Sequence, residues 1–514
     1  MFRMADSLAG ADAQEVWDMA DSGGLSLKTA AGRWVLLATV LGSAIVMIDG
    51  TVVNVALPHI GADLNAGFRG LQWVVNAYTL TLASFILLGG LLGDHFGRRR
   101  VFLIGVVWFA AASTACGLAP NIETLVAARA LQGIGGALLT PGSLALISAS
   151  FRAGDRSAAI GAWSGLGGLA GAVGPFLGGF LVEWNWRAVF LINLPLAAAL
   201  VILTMLRVPE SRDADAPPGL DIAGTVLAVL GLGALTFGLT SLGGAEVTVP
   251  GLVAVGIGML ALLAFVVIEH RSPHPLVPPE LFSNSIFRVA NVITLLIYGA
   301  LGVVFLILVL QLQTVAGFSP IEAGAALLPV TTVLLIFSAH AGALAGRIGP
   351  RLPMTLGPVL SAAGLLLMLR IGPQASWVAD VLPAALVFGA GLALVVAPLT
   401  AAVLDAAPDR LAGAASGVNN AVARAGGLLA VAVIPAFAGV GGADYADPAA
   451  FGAGFRTTMV IAASLLVGAS ALAAIGIRPR RTESSAGDRI HVEQDVHCPI
   501  NGPTPLPHAP RLET

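Results

Sequence analysis

Fourteen times along its 514 residues the chain turns apolar for long enough to cross a bilayer, and each run is closed by a short polar connection. A spanning helix needs about 20 mostly apolar residues, because backbone groups in hydrocarbon must find their partners within the segment. The runs lie at 34–57, 71–92, 101–119, 124–149, 157–182, 187–206, 221–242, 250–268, 289–316, 322–346, 352–371, 378–404, 413–440 and 457–477. They predict an all-α membrane protein of fourteen spanning helices. The first run, beginning near Trp34, is too long and wrongly flanked for a cleaved signal peptide and is read as a helix that stays.

Positive charge alternates along the connections. The even-numbered ones hold Arg98, Arg99, Arg100, Arg152, Arg156, Arg207, Arg212, Arg271, Arg288, Arg347, Arg351 and Arg410, whereas the odd-numbered ones hold only Arg69, Arg187, Arg370 and Arg456. Loops enriched in arginine stay in the cytoplasm, so both termini are expected there. A missed or invented helix would scramble this alternation.

An internal repeat is also visible. Gly90-Leu91-Leu92-Gly93-Asp94-His95-Phe96-Gly97-Arg98-Arg99 is echoed by the stretch from Gly342 to Arg351, and Asp155-Arg156 recurs as Asp409-Arg410. Two six-helix pseudo-repeats with two extra helices between them would give that spacing, and paired repeats are a common ground plan of secondary transporters. The expected organisation is a cytoplasmic segment 1–33, a six-helix bundle 34–206, inserted helices 7 and 8 with a cytoplasmic linker at 207–288, a second six-helix bundle 289–477, and a disordered cytoplasmic tail 478–514.

Composition narrows the chemistry. Only 11% of residues are charged, against about 25% in a soluble domain. A net charge of -3 offers no basic field for a polynucleotide, so no nucleic-acid partner is expected. The two cysteines, Cys116 and Cys498, build neither a disulfide framework nor a thiolate metal site. Lys28 is the only lysine and follows Leu27, which excludes a Walker-type phosphate loop and with it ATP hydrolysis in this chain. No metal or cofactor is expected, and no enzymatic grouping of nucleophile, base and acid stands out in the spans.

Polar residues inside apolar runs carry the remaining signal. Asp49 lies deep in helix 1, where an ionised carboxylate costs about 2.5 to 3.5 kcal/mol on the insertion scale, so it should face the bundle interior and bind something. In that setting it is a candidate proton acceptor; a competing reading has it cap a helix break at Gly50 or bond a neighbouring helix. Helix 4 sets Arg129, Gln132, Gly133 and Gly136 on one face, a fixed charge on a small-residue seam, unless Arg129 snorkels to an interface. Helix 5 carries Gly171, Gly174, Pro175, Gly178 and Gly179, the pattern of a bending, closely packed gate, although ordinary helix packing also uses such glycines. Gln72, Asn76 and Thr79 share a face of helix 2 beside Trp73 and Tyr78. Helix 9 offers Gln311 and Gln313, and helix 13 offers Ser416, Asn420, Arg424 and Gly427. Such stripes line a water-filled cavity or bond helix to helix; the charge on Arg424 favours the cavity. His340, on helix 10, is read as a hydrogen-bonded helix histidine rather than a proton relay.

From Trp34 to Ile477 the chain resembles the major facilitator superfamily, and within it the fourteen-helix branch of drug and proton antiporters. Asp49 to Pro58 is similar to that branch's helix 1 motif, Leu-Asp-x-Thr-Val-Val-Asn-Val-Ala-Leu-Pro, departing only at Ile48. Gly90 to Arg99 resembles the superfamily's loop motif, with His95 where Arg or Lys is usual. Leu125 to Ala137 is similar to the helix 4 motif, and the helix 5 run resembles the antiporter motif with Ala170 in place of a glycine. The resemblance implies that Asp94 with the Arg98 to Arg100 cluster forms a cytoplasmic latch, that Arg129 influences proton coupling, that Gly174-Pro175 belongs to an exporter gate, and that Asp49 is a substrate or proton site.

The expectation is a secondary active transporter that exports small hydrophobic or cationic compounds, as in drug or antibiotic efflux, by proton antiport through alternating access. Its substrate or proton site would draw on Asp49, Asn54, Gln72, Asn76, Tyr78, Arg129, Gln132, Gln311, Asn420 and Arg424, and its gating on Asp94, Arg98, Arg99, Gly174 and Pro175. It would work as a monomer in the bacterial inner membrane, with protons, a small molecule and the lipid bilayer as partners. An uptake permease on the same fold, a membrane-embedded enzyme and a channel are the alternatives.

Overall fold

In the computed structural model, residues 24–212, 221–242, 248–273, 275–440 and 447–477 are described. The expected disordered tail at 478–514 and most of the N-terminal segment 1–33 lie outside them. Among the described residues fourteen helices are long and apolar enough to cross a membrane: α1 (Ala30–Asp63), α2 (Phe68–Phe96), α3 (Arg98–Gly117), α4 (Ile122–Ser150), α5 (Gly154–Trp184), α6 (Ala188–Arg207), α7 (Ile222–Leu242), α8 (Val249–Arg271), α9 (Ser285–Thr314), α10 (Pro320–Ile348), α11 (Arg351–Arg370), α12 (Trp377–Asp405), α13 (Ala412–Phe437) and α14 (Pro448–Gly476).

Local chemistry sets many of the boundaries. Thr29, Asn121, Thr248, Asn284 and Asp447 cap α1, α4, α8, α9 and α14 with side-chain oxygens. Ser319 and Glu322 close a reciprocal capping box at the start of α10. Proline explains three irregular turns, since it lacks the N–H that the preceding turn needs. Pro195 follows a break at Ile192 in α6, Pro329 a break at Ala326 in α10, and Pro383 a π-helical first turn, Trp377–Val381, in α12. The α3 N-terminus is capped from a distance: the Glu210 carboxylate accepts from the N–H groups of Arg99 at 3.0 Å and Arg100 at 3.2 Å.

The packing pattern repeats. In the first six helices α1 packs on α4, α5 and α6, and α4 packs on α2 and α3. In the last six the same relations hold eight helices later, with α9 on α12, α13 and α14, and α12 on α10 and α11. Between the two sets the principal contacts are α2 with α13 and α5 with α10, again related by the repeat. The hairpin of α7 and α8 lies outside this scheme, with α7 touching both α2 and α13.

The even-numbered connections cluster at one end, here termed the arginine-rich end. There Leu25 N–H donates to Ser150 O at 2.7 Å, Arg98 N–H to Ser211 O at 2.9 Å, and Asn284 Nδ2 to Ala406 O at 2.8 Å. Towards the opposite end the two halves are joined. One cluster of buried apolar side chains runs from Val52–Ile60 of α1 into α9, α12, α13 and α14. A second cluster, with Val35, Phe102, Leu146 and Leu200, stays within the first six helices and includes Leu25 and Phe151 of the arginine-rich end.

Candidate functional site

Asp49 is the centre of a sealed polar network. It is 0% exposed and Arg129 is 1% exposed. Arg129 Nη1 donates to Asp49 Oδ2 at 2.5 Å and to Gln132 Oε1 at 2.8 Å. Gln132 Nε2 donates to Asp49 Oδ1 at 2.8 Å, and Asn193 Nδ2 donates to the same oxygen at 3.0 Å. Ser113 Oγ accepts from both amides, at 3.1 and 2.9 Å, and donates to Phe190 O at 2.9 Å. The guanidinium also donates through Nε to Val74 O at 3.2 Å and lies 4.1 Å from the Tyr78 ring centroid.

The network satisfies a buried ion pair in the way such pairs need: the two charges face each other and both carboxylate oxygens have donors, while Asn193 Oδ1 is left buried without a partner. Sequence spacing put Arg129 and Gln132 on one helix face, and the fold turns that face onto Asp49. Ser113 of α3 and Asn193 of α6 complete the ring and were missed. A signal existed, since a serine and an asparagine in apolar spans need partners, but each is a single residue with no periodic companion. The reading of Asp49 as a cap at Gly50 does not describe the structure, because α1 continues unbroken to Asp63.

The other candidate residues divide between two settings. Gln72 Nε2 donates to Val431 O of α13 at 2.9 Å, and Gln313 Nε2 to Val55 O of α1 at 3.0 Å; both bonds cross between the halves. Gln311 stays within the second half, donating to Ile371 O at 3.0 Å. Tyr78 is buried and donates to Val46 O at 3.3 Å. Asn76 is 0% exposed with neither amide atom hydrogen-bonded, and Asn54 Oδ1 is likewise buried without a partner. Asn420 is exposed. Arg424 is partly buried, its Nε has no hydrogen-bond partner, and no acidic side chain pairs with it among the described residues. His340 is exposed beside a cavity of about 390 Å³ between α10 and α12, its Nδ1 3.0 Å from Ile336 O.

The gating candidates are equally distinct. Asp94 and Arg98 form an i,i+4 ion pair of 2.7 Å across the α2–α3 turn, and Arg99 Nη2 donates to Met205 O at 2.9 Å. These contacts lie inside the first half. In α5 the glycine seam has two sides. Gly174 and Gly178 lie so close to Thr51 and Val52 of α1 that a β-carbon would collide with them. Gly179 meets Pro320 O and Ile321 of α10 in the same way, and Gly324 of α10 meets Pro175 O. At the other end of α5, Gly161 and Gly165 have open space on their glycine sides. The α5–α10 crossing is therefore tight at the end opposite the arginine-rich one.

With this geometry in view, the comparison with known proteins is decisive: residues 39–431 match the model of the Major Facilitator Superfamily. The chain belongs to that superfamily. Among relatives of this transporter, the multidrug resistance protein Stp of Mycobacterium tuberculosis is 36% identical over 404 residues, covering 78% of this chain and 74% of that protein. The tetracenomycin C resistance and export protein of Streptomyces glaucescens is 35% identical over 410 residues, with 78% and 74% covered. The fold matches solved members. A peptide transporter in complex with sulfate superposes with TM-score 0.64 at 16% identity, covering 89% of this chain and 97% of that one. A D-xylose-proton symporter gives 0.61 at 15%, covering 87% and 98%.

Proposed function

We propose that this transporter exports small, largely apolar compounds of the drug or antibiotic kind in exchange for protons, acting as a monomer in the bacterial inner membrane. The moving bodies in this reading are the two six-helix halves, 34–206 and 289–477, with 207–288 between them. The arginine-rich end faces the cytoplasm, so the tight α5–α10 crossing closes the outer side and the structure is the inward-facing state. The roles for which the relatives are named, multidrug resistance and tetracenomycin C resistance and export, support export over uptake.

One observation carries the proton coupling: a carboxylate sealed in the membrane core has a single compensating charge, Arg129. A proton on Asp49 would cancel one member of that pair. Arg129 would keep Gln132, Val74 O and the Tyr78 ring as partners, so the protonated state is not orphaned. The consequence would reach the gate through α1. Ile48, next to Asp49, and Thr51, two residues beyond it, are the residues against which Gly174 of α5 packs, while α5 in turn carries Pro175 and Gly179 onto α10. A proton entering down a 100 mV potential supplies about 2.3 kcal/mol, enough to bias such a switch without ATP.

Asp49→Asn keeps the shape of the site and removes its titration. The variant is expected to insert and fold but to lose export at least tenfold in dye-loaded cells. The wild type should lose export when a protonophore collapses the gradient. Protonophore-sensitive export at wild-type rate by Asp49→Asn would remove Asp49 from the mechanism.

A further inference from the structure

The ionisable residues of the mid-membrane layer do not sum to zero. Asp49 and Arg129 cancel each other, and both are sealed within the first half. Arg424 of α13 remains. It has no ion-pair partner among the described residues, and its buried Nε is without a hydrogen bond. A guanidinium keeps its charge at any working pH and offers a planar fork of donors suited to carboxylates. An unpaired arginine at this depth is costly and marks a ligand or ion path by default.

Helix geometry places it on the seam between the halves. α2 and α13 run antiparallel, with Gln72 bonded to Val431 and Leu87 packed beside Gly417. Arg424 is seven residues from Val431 and Gly417 alike, so the three share one face of α13, and Arg424 stands opposite the Tyr78–Thr79 level of α2. Tyr78 and Tyr298 of α9 both lie within electrostatic reach of it. Asn76, on the face of α2 that carries Gln72, is about one helical turn from that level. It is fully buried with both amide atoms unpaired. Buried polar groups in a folded protein are usually paired; several here are not, and among them Asn76, with both amide atoms bare, and the Arg424 Nε lie along one seam, where a shared ligand would satisfy both.

We propose that Arg424 and Asn76 form a receptor for an acidic group, a carboxylate or an ionised phenol, so that the cargo is an apolar body carrying a negative charge. This rests on the exporter reading and specifies its substrate class. The guanidinium takes the anionic oxygens, the Asn76 amide donates to one of them, and the Tyr78 and Tyr298 rings flank the apolar body. Because Tyr78 also stacks on Arg129, bound anion and proton site share one aromatic ring between them.

The test is binding and efflux of matched probes by the full chain. Naphthoate and anthraquinone-2-carboxylate are titrated in uncharged detergent, each beside its methyl ester, with tryptophan fluorescence as readout. The wild type is expected to bind the acids at least tenfold more tightly than the esters. R424Q should reduce that ratio to about one, and R424K should keep most of it. Asn76→Asp, which sets a like charge at the seam and leaves Arg424 in place, should weaken acid binding at least tenfold and serves if R424Q does not fold. Addition of inorganic phosphate at millimolar concentration should leave the acid preference intact; loss of that preference to phosphate would assign the site to a free anion and overturn the proposal. Equal binding of acids and esters by the wild type, or a preference that survives in R424Q, would also overturn it. Efflux of the same probes from loaded cells separates the two readings: acid-selective binding without export would refute the exporter and leave the receptor standing.

Discussion

Arg129→Gln is expected to destabilise the protein by about 3 to 5 kcal/mol, the usual cost of stripping one partner from a buried ion pair. The loss arises from what stays behind. Asp49 would remain fully buried, holding hydrogen bonds from Gln132 and Asn193 but no cation. The double variant Asp49→Asn with Arg129→Gln removes both charges and leaves amides able to bond one another, so it should recover most of the lost stability. It should not recover export. The measurement is a double-mutant cycle on detergent-solubilised protein, followed by apparent Tm and by the monodisperse fraction, with efflux in parallel. An Arg129→Gln variant as stable as the wild type would show that the pair contributes nothing, and a double variant that exports normally would show that it is structural only.

Gly179→Val should act at the other key position, the crossing of α5 and α10. A β-carbon at 179 meets the Pro320 carbonyl oxygen and Ile321 Cα, which are backbone and cannot rotate away. Overpacking of this kind costs about 1 to 3 kcal/mol, and here the strain falls on one conformation. The closed α5–α10 end, outer in the proposed orientation, is therefore expected to be depopulated, with export reduced at least tenfold and Gly179→Ala intermediate. Spin labels at Asn185, just beyond α5, and Ser319, just before α10, should report a shift to longer distances. Unchanged distances together with unchanged export would contradict the gate.

Much of this molecule is legible in its sequence, because the membrane imposes a simple rule on apolar length. The spans agree with the helices to within a few residues except at the end of α1, which runs on to Asp63 rather than stopping near 57, and at the start of α14. That helix begins at Pro448 rather than near 457, because Gly452, Gly454 and Arg456 dilute the hydropathy of its first turns. Arg129 and Gln132 were legible because helical spacing is local. Their union with Asp49 was not, since it joins positions 80 and 83 residues apart. Ser113, Asn193 and Glu210 escaped for the same reason: each acts on a group far along the chain, and one polar residue has no period. The sequence also did not distinguish Gln311, which anchors a turn in its own half, from Gln313, which reaches across to α1.

The α7–α8 hairpin has a mechanical meaning that its position implies. Gly231 and Gly238 of α7 and Gly258 of α8 press each helix onto the backbone and side chains of the other, so the pair is packed as one plank. α8 is the least enclosed of the fourteen, with 17% of its apolar window buried. α7 leans on both α2 and α13, through the Trp73–Phe237 ring contact and the Gly233–Leu80 approach on the α2 side. When the halves pivot, the plank can travel with only one of them and must slide over the other. On the proposed cycle it would be a bearing that shields the α2–α13 seam from lipid, so that cargo held at the proposed Arg424 receptor would exchange with water at the two ends rather than sideways with the bilayer.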